Sequence, residues 1–229
     1  MAKFERAFVR LGGALFVVSL AVCAWRFLVS WSITAASSRS RWPVLVVDAL
    51  LFGVFAAHHS LFARESVKFR LASLVPERLL RSVYVWIASV LLLIVCTLWQ
   101  PIGGNVYRVT GWRAVAHACV QLAGVWLIGR SVATIDPLEL AGIRRPSASE
   151  ALQITGPYRW VRHPLYLGWL LVVFGAAHMT GDRLAFAATS SIYLVVAIPW
   201  EERSLTHAFG EKYAAYKQQV RWRVVPFLY

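Results

Sequence analysis

Residues 82–99 read SVYVWIASVLLLIVCTLW, from Ser82 to Trp99, without one charged side chain. Wound as an α-helix at about 1.5 Å per residue, such a run is roughly as long as the hydrocarbon core of a bilayer is thick. Its apolar side chains fall on every face, so it needs apolar surroundings on all sides rather than one stripe of contact. Working outward, five more apolar stretches of related length follow the same pattern. They run from about Ala7 to Val29, Pro43 to Phe62, Arg113 to Thr134, Leu165 to His178 and Leu184 to Trp200. The expected fold is therefore all-α: a polytopic membrane helix bundle of about six transmembrane helices, with a C-terminal amphipathic helix. The link Met179-Thr180-Gly181-Asp182-Arg183 carries a glycine and two charges and reads as a tight surface turn.

Composition supports lipid as the solvent. Of 229 residues, 59% are apolar and 15% charged, and 11 are tryptophan, a surplus of apolar sequence that a soluble domain does not bury. The net charge of +13 would suggest nucleic acid in a soluble protein. Here the basic residues lie between apolar stretches and form no stripe interleaved with stacking aromatics, so nucleic acid is excluded and membrane lipids are the expected partner. The N-terminal run extends well past Val22 with no small-x-small cleavage site, and reads as a first helix rather than a signal peptide.

Charge sorts by side. Lys3, Arg6 and Arg10, then Arg64 to Arg81, then Arg144, Arg145, Arg159 and Arg162, then Arg203 to Arg223 fall on one side of a six-span arrangement. The other side holds Arg39, Arg41, Arg108, Arg113 and Arg183. This bias puts both termini in the cytoplasm, in a membrane expected to be the bacterial inner membrane. Cys23, Cys96 and Cys119 each lie in apolar sequence without a close partner in the chain, so packing is expected of them and neither a disulfide nor a metal site.

The densest polar cluster is Gly156-Pro157-Tyr158-Arg159-Trp160-Val161-Arg162-His163-Pro164-Leu165-Tyr166-Leu167-Gly168. Pro164 suits the first position of a helix, which places Arg162 and His163 at a helix N-terminus, where exposed N–H groups favour an anion. Gly168 permits close approach of a ligand or of another helix. Arg159 and Trp160 read as interfacial anchors. A second cluster is Glu201-Glu202, followed at helical spacing by Leu205, Phe209, Tyr213 and Tyr216. Adjacent acids at the end of an apolar helix are costly, and the dipole of a helix C-terminus adds to the cost. A bound cation would offset both terms; otherwise one acid pairs with Arg162 or Arg203 and the other is solvated. His58 and His59 stand near the end of the second stretch, and their 100° separation on a helix argues against a chelating pair. Asp48 needs a partner, for which Arg26 or Arg130 is expected. Asp136 and Glu139 either cap the next segment or meet a substrate.

Gly-x-Tyr-x-x-x-Arg-His-Pro-x-Tyr-x-Gly, a helical hairpin, and Glu-Glu-x-x-Leu-x-x-x-Phe-Gly-x-x-Tyr-x-x-Tyr together resemble the isoprenylcysteine carboxyl methyltransferase and phospholipid methyltransferase superfamily. The N-terminal part, with Phe55 to Arg64, Pro76-Glu77-Arg78, Tyr84, Trp99-Gln100-Pro101 and Leu138 to Gly142, is similar to bacterial methanethiol S-methyltransferases. The resemblance implies one integral membrane methyltransferase domain over residues 1–229, with N-terminal helices over 1–135 and a cofactor-binding core over 150–226. It implies S-adenosylmethionine (SAM) as methyl donor, with Tyr158, His163, Tyr166, Gly168, Glu201, Glu202 and Leu205 around it. Of these, Glu201 and Glu202 would hold the amino group, and Tyr158 and Leu205 would pack on adenine. Arg162 would meet the donor's carboxylate or orient the acceptor. Arg223 matches a family arginine, although the family's Val-Pro-Arg-x-x-Pro ending appears here as Val220-Arg221-Trp222-Arg223-Val224-Val225-Pro226. A thiol acceptor needs only a base, for which His59 is the candidate, with Arg64 helping to hold the thiolate. The acceptor class expected is a small thiol or another lipophilic molecule; a prenylated cysteine carboxylate or a phospholipid amine are the alternatives within the superfamily. From a different class, a non-catalytic accessory protein of nitrogen-oxide metabolism would use His58, His59 and His117 as haem or metal ligands.

Overall fold

The computed structural model describes residues 3–33, 41–62, 65–143 and 152–229. Arg39, Arg64, Arg144 and Arg145 lie outside these, and with them the expected aid of Arg64 to a thiolate. The described residues are mostly helical, and among them five helices are long and apolar enough to cross a membrane, as an integral membrane protein requires. They are α1 (Lys3–Leu28, extended by a 3-10 turn over Ser30–Ser32), α2 (Arg41–Phe62), α4 (Glu77–Leu98), α5 (Trp112–Ile135) and α8 (Gly181–Phe209). Shorter helices are α3 (Glu65–Ala72), α6 (Pro137–Leu140), α7 (Pro164–Phe174) and α9 (Glu211–Gln219). Two short strands, β1 (Asn105–Arg108) and β2 (His178–Thr180), pair with each other.

Two compact units make up the chain. The first holds residues 1–105, 138–146 and 180–185. In it α1 packs on α4, and α4 on α2. Gly12 is where α1 meets Trp86, whose indole N–H donates to the Phe8 carbonyl at 3.0 Å; a Cβ at Gly12 would sit 2.7 Å from that indole nitrogen. Ser82 donates to the Gly142 carbonyl at 2.9 Å.

The expected surface turn over residues 179–183 is a buried polar knot instead. Thr180, Asp182 and Arg183 are 0%, 3% and 6% exposed, and α8 already begins at Gly181. Asp182 accepts from the Ile102 and Gly103 N–H groups at 3.0 and 3.1 Å. Arg183 donates through Nε to the Phe27 carbonyl and through a terminal nitrogen to that of Leu28, both at 2.7 Å. Thr180 donates to the Trp31 carbonyl at 2.5 Å. The last carbonyls of α1 have no helical partner, and in an apolar environment something must satisfy them. The two charges are inside because backbone groups there need them. Asp48 likewise takes a backbone partner, the Gln100 N–H at 2.9 Å, in place of the expected arginine. Arg26 binds Ser30 and lies over Trp31.

The second unit holds residues 106–137, 147–179 and 186–229. α5 and α7 are its most closely packed pair. The expected fifth span is the 11-residue α7, which at about 1.5 Å per residue is too short to cross a hydrocarbon core. Its last carbonyls are capped by side chains: Gln121 donates to Val172 at 2.9 Å, His117 Nδ1 lies 3.1 Å from Gly175 O, and Tyr107 donates to Ala176 at 3.0 Å. His117 is thus occupied with backbone.

Replacing Asp182→Ala strips the acceptor from two buried N–H groups. The expected outcome is a loss of about 2–4 kcal/mol of stability, read as a lower unfolding midpoint in detergent, with Asp182→Asn losing less.

Candidate functional site

The two clusters meet within the second unit. A 3-10 turn over Gly156–Arg159 leads to Arg162 and His163, and Pro164 opens α7 with His163 at its N-cap, as the sequence predicts. The backbone of this entry pairs with residues near the end of the chain: Arg162 N–H donates to the Trp222 carbonyl at 2.9 Å and His163 N–H to that of Arg223 at 2.8 Å. Helical N-termini leave such donors open, and here another segment of chain takes up those just ahead of the helix.

Glu201 and Glu202 do not stand at a helix end. α8 continues two turns beyond them to Phe209, then breaks at Gly210, whose φ of +54° is readily adopted only by glycine, and resumes as α9. The dipole cost anticipated for a helix C-terminus therefore does not arise. What offsets the charge of Glu202 is arginine. Arg162 Nε donates to Glu202 Oε1 at 2.6 Å, and both side chains are more than nine-tenths buried. Arg162 also donates to the carbonyls of Val220 and Arg221, each at 2.8 Å. Arg223 Nε lies 3.4 Å from Glu202 Oε2. A buried charge pair of this kind is tolerable only when both partners keep further hydrogen bonds, and Arg162 does.

Glu201 is in a different position. Its side chain is 43% exposed, and its Oε2 accepts from the Tyr166 hydroxyl at 2.7 Å. His163 lies between the acids, with Nδ1 3.6 Å from Glu201 Oε2 and Nε2 3.4 Å from Glu202 Oε1. Its ring stacks on Tyr166, centroids 5.2 Å apart at 13°. The buried His163 Nε2 and Tyr213 hydroxyl make no hydrogen bond.

The aromatic face of α9 closes the inner side. Tyr213, Tyr216 and Val220 form a buried cluster with Leu152, Leu205 and Phe209 packed on it. The Tyr216 hydroxyl donates to the Tyr158 carbonyl at 2.7 Å. Burial pushes the Tyr158 phenol up to about 12, with the negative Glu201 adding to the effect, and burial likewise raises Tyr213 and Tyr216. All three remain neutral donors at physiological pH. Burial works against the charge of Arg223, but Glu202 and the Tyr229 hydroxyl more than offset it and hold the guanidinium above its ordinary value.

Of the expected site residues, Tyr158, Arg162, His163, Tyr166, Glu201, Glu202, Leu205 and Arg223 belong to this unit. Arg162, expected to meet a ligand's carboxylate or orient the acceptor, donates here to Glu202 and two carbonyls. Gly168 faces a helix rather than a ligand: a Cβ there would meet Ile128 Cγ1 at 2.8 Å and the Gly124 carbonyl oxygen at 2.9 Å. His59 belongs to the first unit, where its Nδ1 and the Tyr84 hydroxyl share a hydrogen bond and Phe55 stacks nearby. Its neighbour His58 is buried against the edges of Phe62 and Tyr84. Trp160 is exposed and stacks on Trp126, as an anchor should. Asp136 ends α5 with a φ of +85°, and of the Glu139 side chain nothing is described. The carbonyl acceptors at Val220 and Arg221 carry no signal in residue type and escape a reading of sequence.

Comparison with known proteins gives these residues a context. The phospholipid methyltransferase family profile matches residues 113–212. A methanethiol S-methyltransferase from Crocosphaera subtropica is 33% identical over 207 residues, covering 86% of this chain and 80% of that protein. One from Pseudomonas deceptionensis is 36% identical over 191 residues, 78% of this chain and 72% of that protein. A protein-S-isoprenylcysteine O-methyltransferase from Xenopus laevis is 36% identical over 77 residues, 32% of this chain and 27% of that protein. No solved structure matches.

Gly168→Ala drives a methyl group into the backbone of α5. The expected result is about 1–3 kcal/mol of destabilisation, seen as reduced folded yield and a lower unfolding midpoint. An unchanged midpoint would mean that α5 and α7 do not approach so closely.

Proposed function

This chain belongs to the family of membrane methyltransferases that includes the methanethiol S-methyltransferases, and on that premise we propose that it transfers the methyl group of SAM to a small thiol. The observation that carries the reading is the unequal state of the twin acids. Glu202 is buried and neutralised by arginine, whereas Glu201 is half exposed beside His163 and Tyr166. One acid builds the site and the other is offered to a cation.

The residues present fit a zwitterionic amino-acid group of the kind that SAM carries. Glu201 provides a carboxylate for its ammonium. Arg223, 36% exposed at its side chain, provides a guanidinium for its carboxylate, in place of the committed Arg162. The buried Tyr213 hydroxyl makes no hydrogen bond, a state that costs stability unless a ligand satisfies it, and His163 Nε2 has only the long 3.4 Å approach to Glu202 Oε1. Tyr158, Leu205 and the neighbouring aromatic cluster supply an apolar wall for a base. Gly168 acts at one remove, by seating α7 on α5.

A sulfonium supplies an electrophilic methyl group. The chain's part is to hold donor and acceptor in line, which accounts for much of the acceleration in such reactions. The new carbon–sulfur bond forms on the acceptor as the bond to the sulfonium breaks, and the electron pair stays on the donor's sulfur. The acceptor must arrive as a thiolate, and we assign its proton to His59, which Tyr84 holds through Nδ1. For this site we propose the cytoplasmic side of a bacterial inner membrane, because Arg159, Arg162, Arg203, Arg221 and Arg223 cluster around it in sequence.

Purified protein in detergent should bind S-adenosylhomocysteine, the demethylated product. Glu201→Gln should weaken that binding about tenfold or more while the protein stays folded, since a hydrogen bond to a charged group contributes about 1.5–3 kcal/mol. Labelled SAM offered with thiols, prenylcysteines and phospholipids should label a small thiol; labelling of a prenylcysteine or a phospholipid alone would reassign the acceptor. If His59 is the base, His59→Ala lowers the rate about 100-fold or more at pH 7. The deficit should shrink as pH rises and the thiol, with a pKa near 8.5–10 (taking cysteine as a guide), ionises unaided. A deficit independent of pH would remove His59 from that role.

A further inference from the structure

We propose that Tyr229 is a positioning residue for Arg223, setting the guanidinium that reads the carboxylate of the methyl donor. The inference rests on the reading of Glu201 and Arg223 given above and adds a residue to it.

Arginine has a long side chain, and one that is a third exposed is not fixed by its own packing. Besides Glu202, two contacts with Tyr229 hold Arg223. One terminal nitrogen donates to the Tyr229 hydroxyl at 3.0 Å, and the guanidinium lies over the Tyr229 ring, 5.1 Å from its centroid. These leave Nε directed toward Glu202 Oε2 at 3.4 Å. The hydroxyl of Tyr229 therefore sets how far the guanidinium stands from the buried acid.

The chain between the two residues closes on itself. The Val224 and Val225 N–H groups both donate to the main-chain oxygen of Tyr229, at 2.9 and 3.1 Å, and Tyr229 N–H donates back to the Val225 carbonyl at 3.0 Å. Closure requires Phe227 to adopt a φ of +68°, a left-handed conformation that a phenylalanine rarely takes. Phe227 and Leu228 are 86% and 81% exposed, while Val224 is buried and Phe227 packs on Trp222 with centroids 5.2 Å apart. The turn also brings Tyr229 over the residue that begins it. Arg223 is tied in turn to the opening of α7, because its carbonyl accepts from His163 N–H at 2.8 Å. The loop thus links Tyr229 to the His163 segment through one arginine.

The test compares two ligands on the purified full chain. S-adenosylhomocysteine carries the amino-acid end; methylthioadenosine keeps the nucleoside and thioether and lacks it. In the wild type the first should bind more tightly. Tyr229→Phe should weaken S-adenosylhomocysteine roughly 5- to 10-fold, as loss of a hydrogen bond to a charged group does, and leave methylthioadenosine unchanged. In an Arg223→Gln background the same substitution should have no further effect. Equal weakening of both ligands, or effects that simply add, would make Tyr229 a general support of the fold and overturn the inference. A wild-type preference retained in full by Tyr229→Phe would remove Tyr229 while leaving the reading of Arg223 intact. A wild type with no preference between the ligands would sink that reading, and the role of Tyr229 with it.

Discussion

A carboxylate buried in a largely apolar chain must be neutralised, and Glu202 is neutralised by an arginine that arrives from the opposite side of the site. The Arg162–Glu202 contact joins the opening of α7 to the last third of α8. Through its other nitrogen, Arg162 also collects the Val220 and Arg221 carbonyls, so three segments distant in sequence converge on one guanidinium. A planar fork with several donors suits this task, and a lysine could not span it in the same way. The half-exposed Glu201, the stacked His163–Tyr166 pair and the Arg223 guanidinium are all arranged around that contact.

The same requirement appears away from the site. Asp182 and Arg183 are inside because buried N–H and C=O groups at helix ends have nowhere else to bond. His117 and Gln121 serve the last carbonyls of α7 for the same reason. Polar side chains in a membrane protein are often read as pathway or catalytic residues. In this chain several of them answer to backbone, and the chemical ones are better recognised by the hydrogen bonds they still lack, as with the Tyr213 hydroxyl.

How far the sequence could be read follows from this division. The long apolar helices, the Pro164-led start of α7 and the meeting of Arg162 with the twin acids were legible because hydrophobic length, proline and charge have local signatures. The pairing of one acid with Arg162 is one of the alternatives that the sequence leaves open, and the structure adopts it. The surface turn expected at residues 179–183 is buried instead, because charge and glycine signal a surface only where water is the cheapest partner; here the end of α1 and the segment after Trp99 compete for those groups. The helix of the sixth stretch, expected to close at Trp200, runs on to Phe209, since the arginines make a boundary at the acids unnecessary. Gly168 was correctly marked for close approach, but nothing local says whether a ligand or Gly124 is what approaches. The loop over 223–229 left no trace in composition, because backbone-to-backbone closure depends on conformation and not on residue type.

The most direct measurement is an experimental structure of the protein with S-adenosylhomocysteine bound. The account predicts an intact Arg162–Glu202 contact, the ligand's ammonium within hydrogen-bond distance of Glu201, and its carboxylate facing Arg223. A bound state in which Arg162 releases Glu202 to hold the ligand, or in which the ligand lies away from both acids, would contradict it.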